Sequence, residues 1–97
     1  MQEFKNSSYE TYYPDGEAEF DLECRVRIDE EMIVISYDGE DEVVTYRGHS
    51  IGPGHYKLQG DGFDGSASLH RVPGADILEG SWLEGSYRGM WRIKLLR

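Results

Sequence analysis

The sequence predicts an all-β fold, an antiparallel up-and-down meander of about eight strands that forms a small closed or partly open barrel. Three observations support this prediction: apolar and charged residues alternate over residues 17–28, turn residues recur at short intervals, and no helical period persists over three turns. Short turns join antiparallel neighbours, and eight strands joined in this way can close without an exposed edge. A two-sheet sandwich is the alternative. The 97 residues are expected to form one domain, 1–97, around a single core.

The most regular strand covers residues 17–28, with the sequence EAEFDLECRVRI. Its even-numbered residues are apolar and its odd-numbered residues are charged, which is the period of two of a half-buried strand. This pattern places Phe20 and Leu22 in the interior and the acidic residues on the solvent side. Before this strand, the sequence YYPDGE combines proline and glycine in the manner of a hairpin turn, so residues 8–13 are expected to form the preceding strand.

Six further strands are expected after residue 30, separated by acidic and glycine-rich turns. Their predicted positions are residues 31–37, 42–48, 54–59, 65–72, 76–84 and 87–96. With a four-residue loop at 38–41, Ile35 would face Val44 and Ile33 would face Tyr46, which keeps apolar groups on one side of the sheet.

The last two predicted strands form a hairpin whose register follows from its tryptophans and glycines. A two-residue turn at 85–86 pairs Trp82 with Gly89 and Trp91 with Gly80, so that each ring lies over a glycine on the inner side. An aromatic ring can cover the backbone that glycine leaves bare, and the missing side chain gives an indole the volume it needs. The alternation of rings and glycines therefore indicates architecture before it indicates a ligand site.

The same register also separates the two faces of this hairpin. Leu78 faces Ile93 on the inner side, and Glu79 faces Arg92 on the outer side. This C-terminal pattern resembles the final hairpin of small calycin or avidin-like barrels, over about twenty residues. The resemblance implies a barrel that binds small apolar ligands in its interior, and it carries no functional residue to this chain.

The formal net charge of −9 is unevenly distributed along the chain. Residues 1–42 contain fourteen acidic and three basic residues, whereas residues 43–97 contain five acidic and seven basic residues. A field of this sign repels DNA, RNA and anionic lipid and attracts cationic surfaces. We therefore expect a protein partner with a basic surface, no direct nucleic-acid partner and no membrane association.

The residue types that carry catalysis or bind metal show no specific pattern. Cys24 lies on the predicted inner side of its strand, where a thiol is unreactive, and Ser66 and Ser68 flank no nucleophile elbow. The three histidines lack the spacing of a metal motif, and the turns at 38–42 and 61–65 lack the distal glutamate of a calcium loop. We expect no enzymatic activity, no cofactor and no metal site. A single cysteine and an N-terminus without an export signal favour a cytoplasmic protein.

The first functional hypothesis is docking on a basic surface of a protein partner, as an inhibitor, an immunity protein or a mimic of nucleic acid. Carboxylates on one face of the 17–28 strand recur every ~6.6–6.8 Å and repel one another, so a basic surface would relax them. The acidic turns at 29–31 and 38–42 are expected to extend this patch, although the whole face could instead serve only solubility. The predicted partner-binding residues are Glu17, Glu19, Asp21, Glu23, Asp29, Glu30, Asp41 and Glu42.

The alternative hypothesis is a barrel that binds a small molecule among its aromatic side chains. The predicted ligand-binding residues are Tyr37, Tyr46, Tyr56, Trp82 and Trp91. The full inward-facing set also includes Tyr9, Tyr13, Phe20, Leu22, Val26, Ile33, Ile35, Leu58, Leu69, Leu78, Ile93 and Leu95. Because side chains this bulky can fill an eight-stranded barrel, a packed core competes with a pocket. Outward-facing Met32, Val34, Met90 and Leu96 leave a homo-oligomer open as a third form of association.

Overall fold

The computed structural model describes every residue from Met1 to Arg97 and contains eight strands and no helix. The strands are β1 (Gln2–Tyr12), β2 (Ala18–Ile28), β3 (Met32–Asp38), β4 (Val43–Gly52), β5 (His55–Gly60), β6 (Gly65–His70), β7 (Ile77–Glu84) and β8 (Tyr87–Lys94). Each strand pairs antiparallel with the next, and β1 also pairs with β8, so the sheet closes. The predicted up-and-down barrel is confirmed, in its closed form.

Closure of the barrel depends on β1, which begins well before the predicted residue 8. Residues 8–12 pair with residues 94–90 of β8, and the earlier part of β1 contacts the C-terminal residues. The Asn6 N–H donates to the Leu96 carbonyl at 3.0 Å, and the Leu96 N–H donates to the Ser7 hydroxyl at 3.0 Å. The N-terminal and C-terminal segments are therefore hydrogen-bonded to each other as part of the barrel wall.

The β7–β8 hairpin has the predicted register throughout. Trp82 lies opposite Gly89 and Trp91 lies opposite Gly80, with both rings buried in the interior. A Cβ atom at Gly89 would lie 2.6 Å from the Trp82 ring and 2.5 Å from the Tyr12 carbonyl oxygen, so this glycine makes room for an indole and for the backbone of β1. Gly80 has a different role, because its Cβ would meet the Ser68 carbonyl oxygen of β6 at 1.7 Å. There the missing side chain permits close approach of the β6 and β7 backbones.

The predicted register of β3 and β4 is wrong by two residues. Ile35 pairs with Tyr46 rather than Val44, and Ile33 pairs with Gly48 rather than Tyr46. The loop covers residues 39–42, closed by a 2.8 Å hydrogen bond from the Gly39 N–H to the Glu42 carbonyl, so it lies one residue later than predicted. A shift of two keeps every side chain on its predicted face, because the strand period is also two.

The β1–β2 pair departs from the predicted alternation. Its register shifts twice, and at the second shift Phe20 and Asp21 together lie opposite Glu10, which makes a β-bulge. Asp21 has a φ of 57°, a left-handed conformation that aspartate tolerates better than most residues. The extra residue reverses the faces that precede it: Glu19 pairs with buried Thr11, and Phe20 is 56% exposed. The prediction of an inward Phe20 and of one continuous acidic face over 17–23 is therefore wrong.

The core runs the length of the barrel and contains sixteen buried hydrophobic residues. Most of the predicted inward residues belong to it, while Tyr9, Tyr13 and Tyr37 are partly buried and pack against it. Phe4, Ile28 and the buried polar residues Ser7 and Thr11 are additions that the predicted inward set lacked. The barrel has an extent of 32 × 26 × 24 Å, with four turns at one end and three turns and both termini at the other.

Candidate acidic docking surface

The turns at one end of the barrel, the end with four turns, contain acidic and no basic residues. We call it the acidic end and define it by residues 12–17, 38–42, 60–64 and 84–86, which are the turns and the strand residue before each. These segments contain nine carboxylates and no lysine or arginine. The carboxylates are Asp15, Glu17, Asp38, Glu40, Asp41, Glu42, Asp61, Asp64 and Glu84.

Only two of these nine carboxylates form ion pairs. Arg25 contacts Asp38 and Arg47 contacts Asp61, each at 3.2 Å and each reaching from the wall of the barrel. All four side chains are well exposed, so solvent screens both pairs and each contributes little to stability. The remaining seven carboxylates concentrate negative charge on one small surface.

The opposite end, defined by residues 28–31, 52–54 and 70–76, has a mixed character. It contains four carboxylates and Arg71, and its turns are rich in glycine and proline. They surround an open pocket of about 860 Å³ with Ile28 and Tyr56 among its lining residues. The Tyr56 hydroxyl donates a 3.0 Å hydrogen bond to the Asp29 carbonyl at its edge.

The predicted partner-binding residues lie in three places rather than one. Glu17, Asp41 and Glu42 lie in turns of the acidic end, and Glu19 lies near them at the start of β2, two residues after Glu17. Exposed Asp21 and Glu23 lie further along β2. The predicted extension of the patch through residues 29–31 is wrong, because these residues lie at the opposite end, about 20 Å away along β3 by the strand rise. Asp29 and Glu30, which were predicted to bind the partner, therefore lie outside the acidic end.

Asp29 has a structural task in the turn between β2 and β3. Its carboxylate accepts hydrogen bonds from the N–H groups of Met32 at 2.7 Å and Glu31 at 2.8 Å. These two bonds favour the ionised form and lower the pKa of the Asp29 carboxyl. The residue therefore fixes a turn, as aspartate often does.

Aromatic side chains fill the barrel beneath the acidic turns. The Trp91 ring lies between those of Tyr46, Trp82 and Tyr9, with centroid distances of 5.0, 6.2 and 6.3 Å. Phe63, in the turn between β5 and β6, covers this group with its ring 5.2 Å from that of Tyr46. The Trp82 Nε1 donates a 3.1 Å hydrogen bond to the Thr11 hydroxyl, so its polar edge is satisfied in the interior. We call these rings, with Tyr13 and Tyr37, the aromatic cluster.

Two carboxylates contact the hydroxyls of the aromatic cluster. The Tyr46 hydroxyl donates to Glu84, and the Tyr13 hydroxyl donates to Glu19 at 3.0 Å. Burial and then the Glu84 carboxylate raise the pKa of Tyr46, and the same two causes raise the pKa of Tyr37 to about 12. The tyrosines therefore present neutral hydroxyl donors toward the acidic end.

The predicted ligand-binding residues also divide between the two ends. Tyr37, Tyr46, Trp82 and Trp91 belong to the aromatic cluster, whereas Tyr56 lines the pocket at the opposite end. None of the four main pockets is lined by Tyr37, Tyr46 or Trp91. Their ring contacts are with other members of the aromatic cluster.

Apolar residues are exposed beside the acidic turns, and the sequence pattern did not reveal the largest of them. Phe20 lies on the outer wall with its ring 5.9 Å from that of Tyr12. Beside Tyr12, Leu83 and Met90 line a shallow groove of about 480 Å³. Met90 was predicted to be outward and is 51% exposed. Phe20 could have been found only from the bulge at Asp21, which has no distinct signal in the alternation.

The single thiol lies away from both ends. Cys24 is 2% exposed, and burial raises its pKa to about 12. A neutral, enclosed thiol is a poor nucleophile. No buried side-chain nitrogen or oxygen lacks a hydrogen-bond partner in this structure.

Comparison with known proteins adds no relative to this description. No protein family model matches the sequence, and no curated protein or solved structure matches it. The structure has no helix with the length and apolarity needed to cross a membrane. What this chain binds has to be inferred from its own surface.

Proposed function

We propose that this chain is a non-catalytic binding protein whose acidic end docks on a basic surface of a protein partner. The observation that supports this most directly is the set of nine carboxylates without a lysine or arginine among them, only two of which form ion pairs. Such a protein acts by occupying a basic site, as an inhibitor, an immunity protein or a mimic of nucleic acid.

Electrostatics favours a cationic partner for this end. Carboxylates held close together raise one another's energy, and approach of lysines and arginines lowers it. Complementary charge also steers encounter, which raises the association rate at low salt. Glu17, Glu19, Asp41 and Glu42 of the predicted set contribute to this surface, and Asp15, Glu40 and Asp64 enlarge it.

Exposed apolar side chains at the same end favour a protein as the partner. Phe20, Leu83 and Met90 are about half exposed on the wall beside the acidic turns, and Tyr87 is 76% exposed at the start of β8. Protein interfaces combine an apolar centre with a polar rim and are enriched in aromatic residues and methionine. The free and buried Cys24 is consistent with a cytoplasmic setting for this interaction.

Two variants of equal charge test the proposal. The acidic-end variant carries Glu17→Gln, Glu40→Gln, Asp41→Asn and Glu42→Gln, and the control carries Glu23→Gln, Glu30→Gln, Glu31→Gln and Asp76→Asn. Each raises the formal charge by four. Proteins captured from native lysate at low salt and released at high salt would be identified and purified. Their affinity for the wild-type chain and both variants would then be measured at two salt concentrations.

We expect the acidic-end variant to bind at least tenfold more weakly, which is about 1.4 kcal/mol, and to show a shallower salt dependence. The control should change affinity by less than about threefold, since it removes charge elsewhere. Equal losses in both variants would mean that only net charge matters. A partner whose binding ignores salt would exclude the proposal.

Small-molecule binding is a second candidate function, favoured by the pocket of about 860 Å³ at the opposite end. Tyr56 from the predicted ligand set lines this pocket together with Ser50 and Arg71, so it offers both apolar and hydrogen-bonding surface. Amide chemical shifts of Gly52, Gly54 and Gly74 should move when a metabolite from a screening panel binds. Shifts that stay constant across the panel would exclude this candidate.

Self-association is the third form of binding to be tested. Met32, Met90 and Leu96 are each about half exposed, as predicted, whereas Val34 is half-buried. Met32 and Val34 lie on β3, Leu96 follows β8, and Met90 lies on β8 opposite Tyr12 beside the exposed Phe20. Sedimentation velocity at two protein concentrations separates a monomer from a homo-oligomer.

A further inference from the structure

His55 and His70 form a pair on the outer wall of the barrel. They lie directly opposite each other on β5 and β6, and both are exposed. Their Nδ1 atoms are 2.6 Å apart, and their ring centroids are 4.7 Å apart with the planes inclined at 77°. The sequence gives no metal motif here because the residues are fifteen positions apart, and only the β5–β6 register brings them together.

A nitrogen–nitrogen distance of 2.6 Å is a hydrogen bond, in which one Nδ1 carries the proton and the other accepts it. When the donating ring carries its proton on Nε2 instead, both Nδ1 atoms have a free lone pair and can bind one metal ion at a shared point. This point lies on the wall and is reached from solvent. A metal ion would replace this hydrogen bond and be bound by two imidazoles that the strand register already holds together.

We propose that His55 and His70 together chelate one divalent transition-metal ion and prefer Cu²⁺ to Zn²⁺. Two metal–nitrogen bonds of about 2.0–2.1 Å place the nitrogens about 2.8–3.0 Å apart at a right angle and about 3.3–3.4 Å apart at the tetrahedral angle. The observed 2.6 Å requires a small opening for the first geometry and a much larger one for the second. Right-angled ligands suit the tetragonal sites of Cu²⁺, which also forms the most stable complexes of the divalent series.

The surroundings of the pair leave most of the coordination of a bound metal ion to water. Glu79 lies opposite His70 on β7, and its carboxylate contacts Arg92 at 3.1 Å. No third histidine, cysteine, aspartate or glutamate lies close enough to form a three-ligand cluster. The site is therefore a two-histidine chelate in which water supplies the remaining ligands.

The experiment is a titration of the full-length chain with CuCl₂ and with ZnCl₂, followed by calorimetry and, for copper, by electron paramagnetic resonance. The variants are His55→Ala, His70→Ala and the double variant, and the matched control is His49→Ala. His49 is also an exposed strand histidine, but it lies opposite Met32 and Lys57 rather than another histidine. Circular dichroism checks that each variant keeps the barrel.

We expect one Cu²⁺ per chain, with a resonance spectrum that shows coupling to two nitrogens. Each single variant of the pair should weaken Cu²⁺ binding at least tenfold, and His49→Ala should leave it within about twofold. Zn²⁺ should bind at least about tenfold more weakly than Cu²⁺. The proposal is overturned if His49→Ala weakens copper as much as His55→Ala, if the double variant binds as the wild type does, or if zinc binds as tightly as copper.

Discussion

The C-terminal hairpin and the N-terminal strand pair follow different rules in this barrel. In β7–β8 every residue from Ile77 to Glu84 has a partner on β8 in one unbroken register. In β1–β2 the register shifts twice. The residues after Asp21 lie on their predicted faces, whereas Glu19 and Phe20 before it lie on the opposite faces. Both pairs nevertheless belong to the same closed sheet and share the wall through the β1–β8 contact.

The difference shows what kind of information fixes a register. In β7–β8 the signal is volume, since Gly80 and Gly89 lie where a neighbouring backbone or an indole ring leaves no room for a Cβ atom. In β1–β2 the deciding feature is a backbone conformation at Asp21, a residue that also fits a regular strand face. Side-chain volumes follow directly from the residue types in the sequence. A bulge, in contrast, shifts the register of the strand while the alternation of apolar and charged residues in the sequence stays the same.

The largest effect expected from breaking the C-terminal register is at Gly80. In Gly80→Ala the new Cβ would lie 1.7 Å from the Ser68 carbonyl oxygen and 2.9 Å from the Leu69 Cα, both of which are backbone atoms. Because backbone cannot move aside cheaply, we expect a loss of about 3 kcal/mol or more in the free energy of unfolding. Urea denaturation measures it. Gly52→Ala is the matched control, since its Cβ would meet nothing closer than 3.8 Å. A similar loss in both variants would show that the cost of Gly80→Ala does not come from the close approach of the β6 backbone.

A smaller effect is expected where the two regions contact each other inside the barrel. The Thr11 hydroxyl of β1 accepts the hydrogen bond from Trp82 Nε1 of β7, and both residues are buried. Thr11→Val keeps the shape but leaves the indole N–H without a partner, which should destabilise the fold by about 1–2 kcal/mol. Thr11→Ser keeps the hydroxyl and serves as the control. If Val is tolerated better than Ser at this position, packing rather than the hydrogen bond joins the two regions.

The bulge of the N-terminal pair is tested by a change of opposite sign. Asp21 has a φ of 57°, so Asp21→Gly should remove its steric strain and raise stability by about 0.5–1 kcal/mol. Asp21→Val should lower stability, because a β-branched residue disfavours this conformation. Thermal unfolding of the three proteins gives the order. If Val proves more stable than Asp, the strand straightens in solution and the reversed faces of Glu19 and Phe20 are lost.

The predictable part of the fold is the part that rests on residue volume and polarity. The strand number, the meander and the β7–β8 register follow from the alternation and from tryptophan opposite glycine. The position of Phe20 does not follow, because one extra residue at the bulge reverses the inside and outside of the strand before it. The pairing of Ile35 with Tyr46 was missed because loops of the same length at 38–41 and 39–42 preserve the same faces.

The candidate site was predictable in its charge but not in its shape. The excess of carboxylates in residues 1–42 is visible in the sequence, but the acidic end also draws on Asp61, Asp64 and Glu84 from the other part of the chain. Asp29 and Glu30 are close to this group in sequence and far from it in the barrel, because β3 separates the turns at its two ends. Successive turns of the meander lie at opposite ends of the barrel, so carboxylates share a surface when their turns lie at the same end.

The smallest expected effect concerns the tyrosines that separate the acidic turns from the core. Burial, with Glu84 as the second cause, raises the pKa of Tyr37 to about 12 in the folded protein, whereas an unfolded tyrosine ionises near pH 10. A group whose pKa is higher in the folded state contributes its full stability below pH 10 and loses it as the pH rises toward 12. The free energy of unfolding should therefore fall over this range, and Tyr37→Phe should make the fall shallower because phenylalanine cannot ionise. The change is modest because the ring is only partly buried and solvent screens it.

Urea denaturation at pH 8, 10 and 11 measures the slope, with Tyr87→Phe as the exposed control. An unchanged slope in Tyr37→Phe would mean that this hydroxyl reaches solvent at alkaline pH and that the aromatic cluster opens beneath the acidic end.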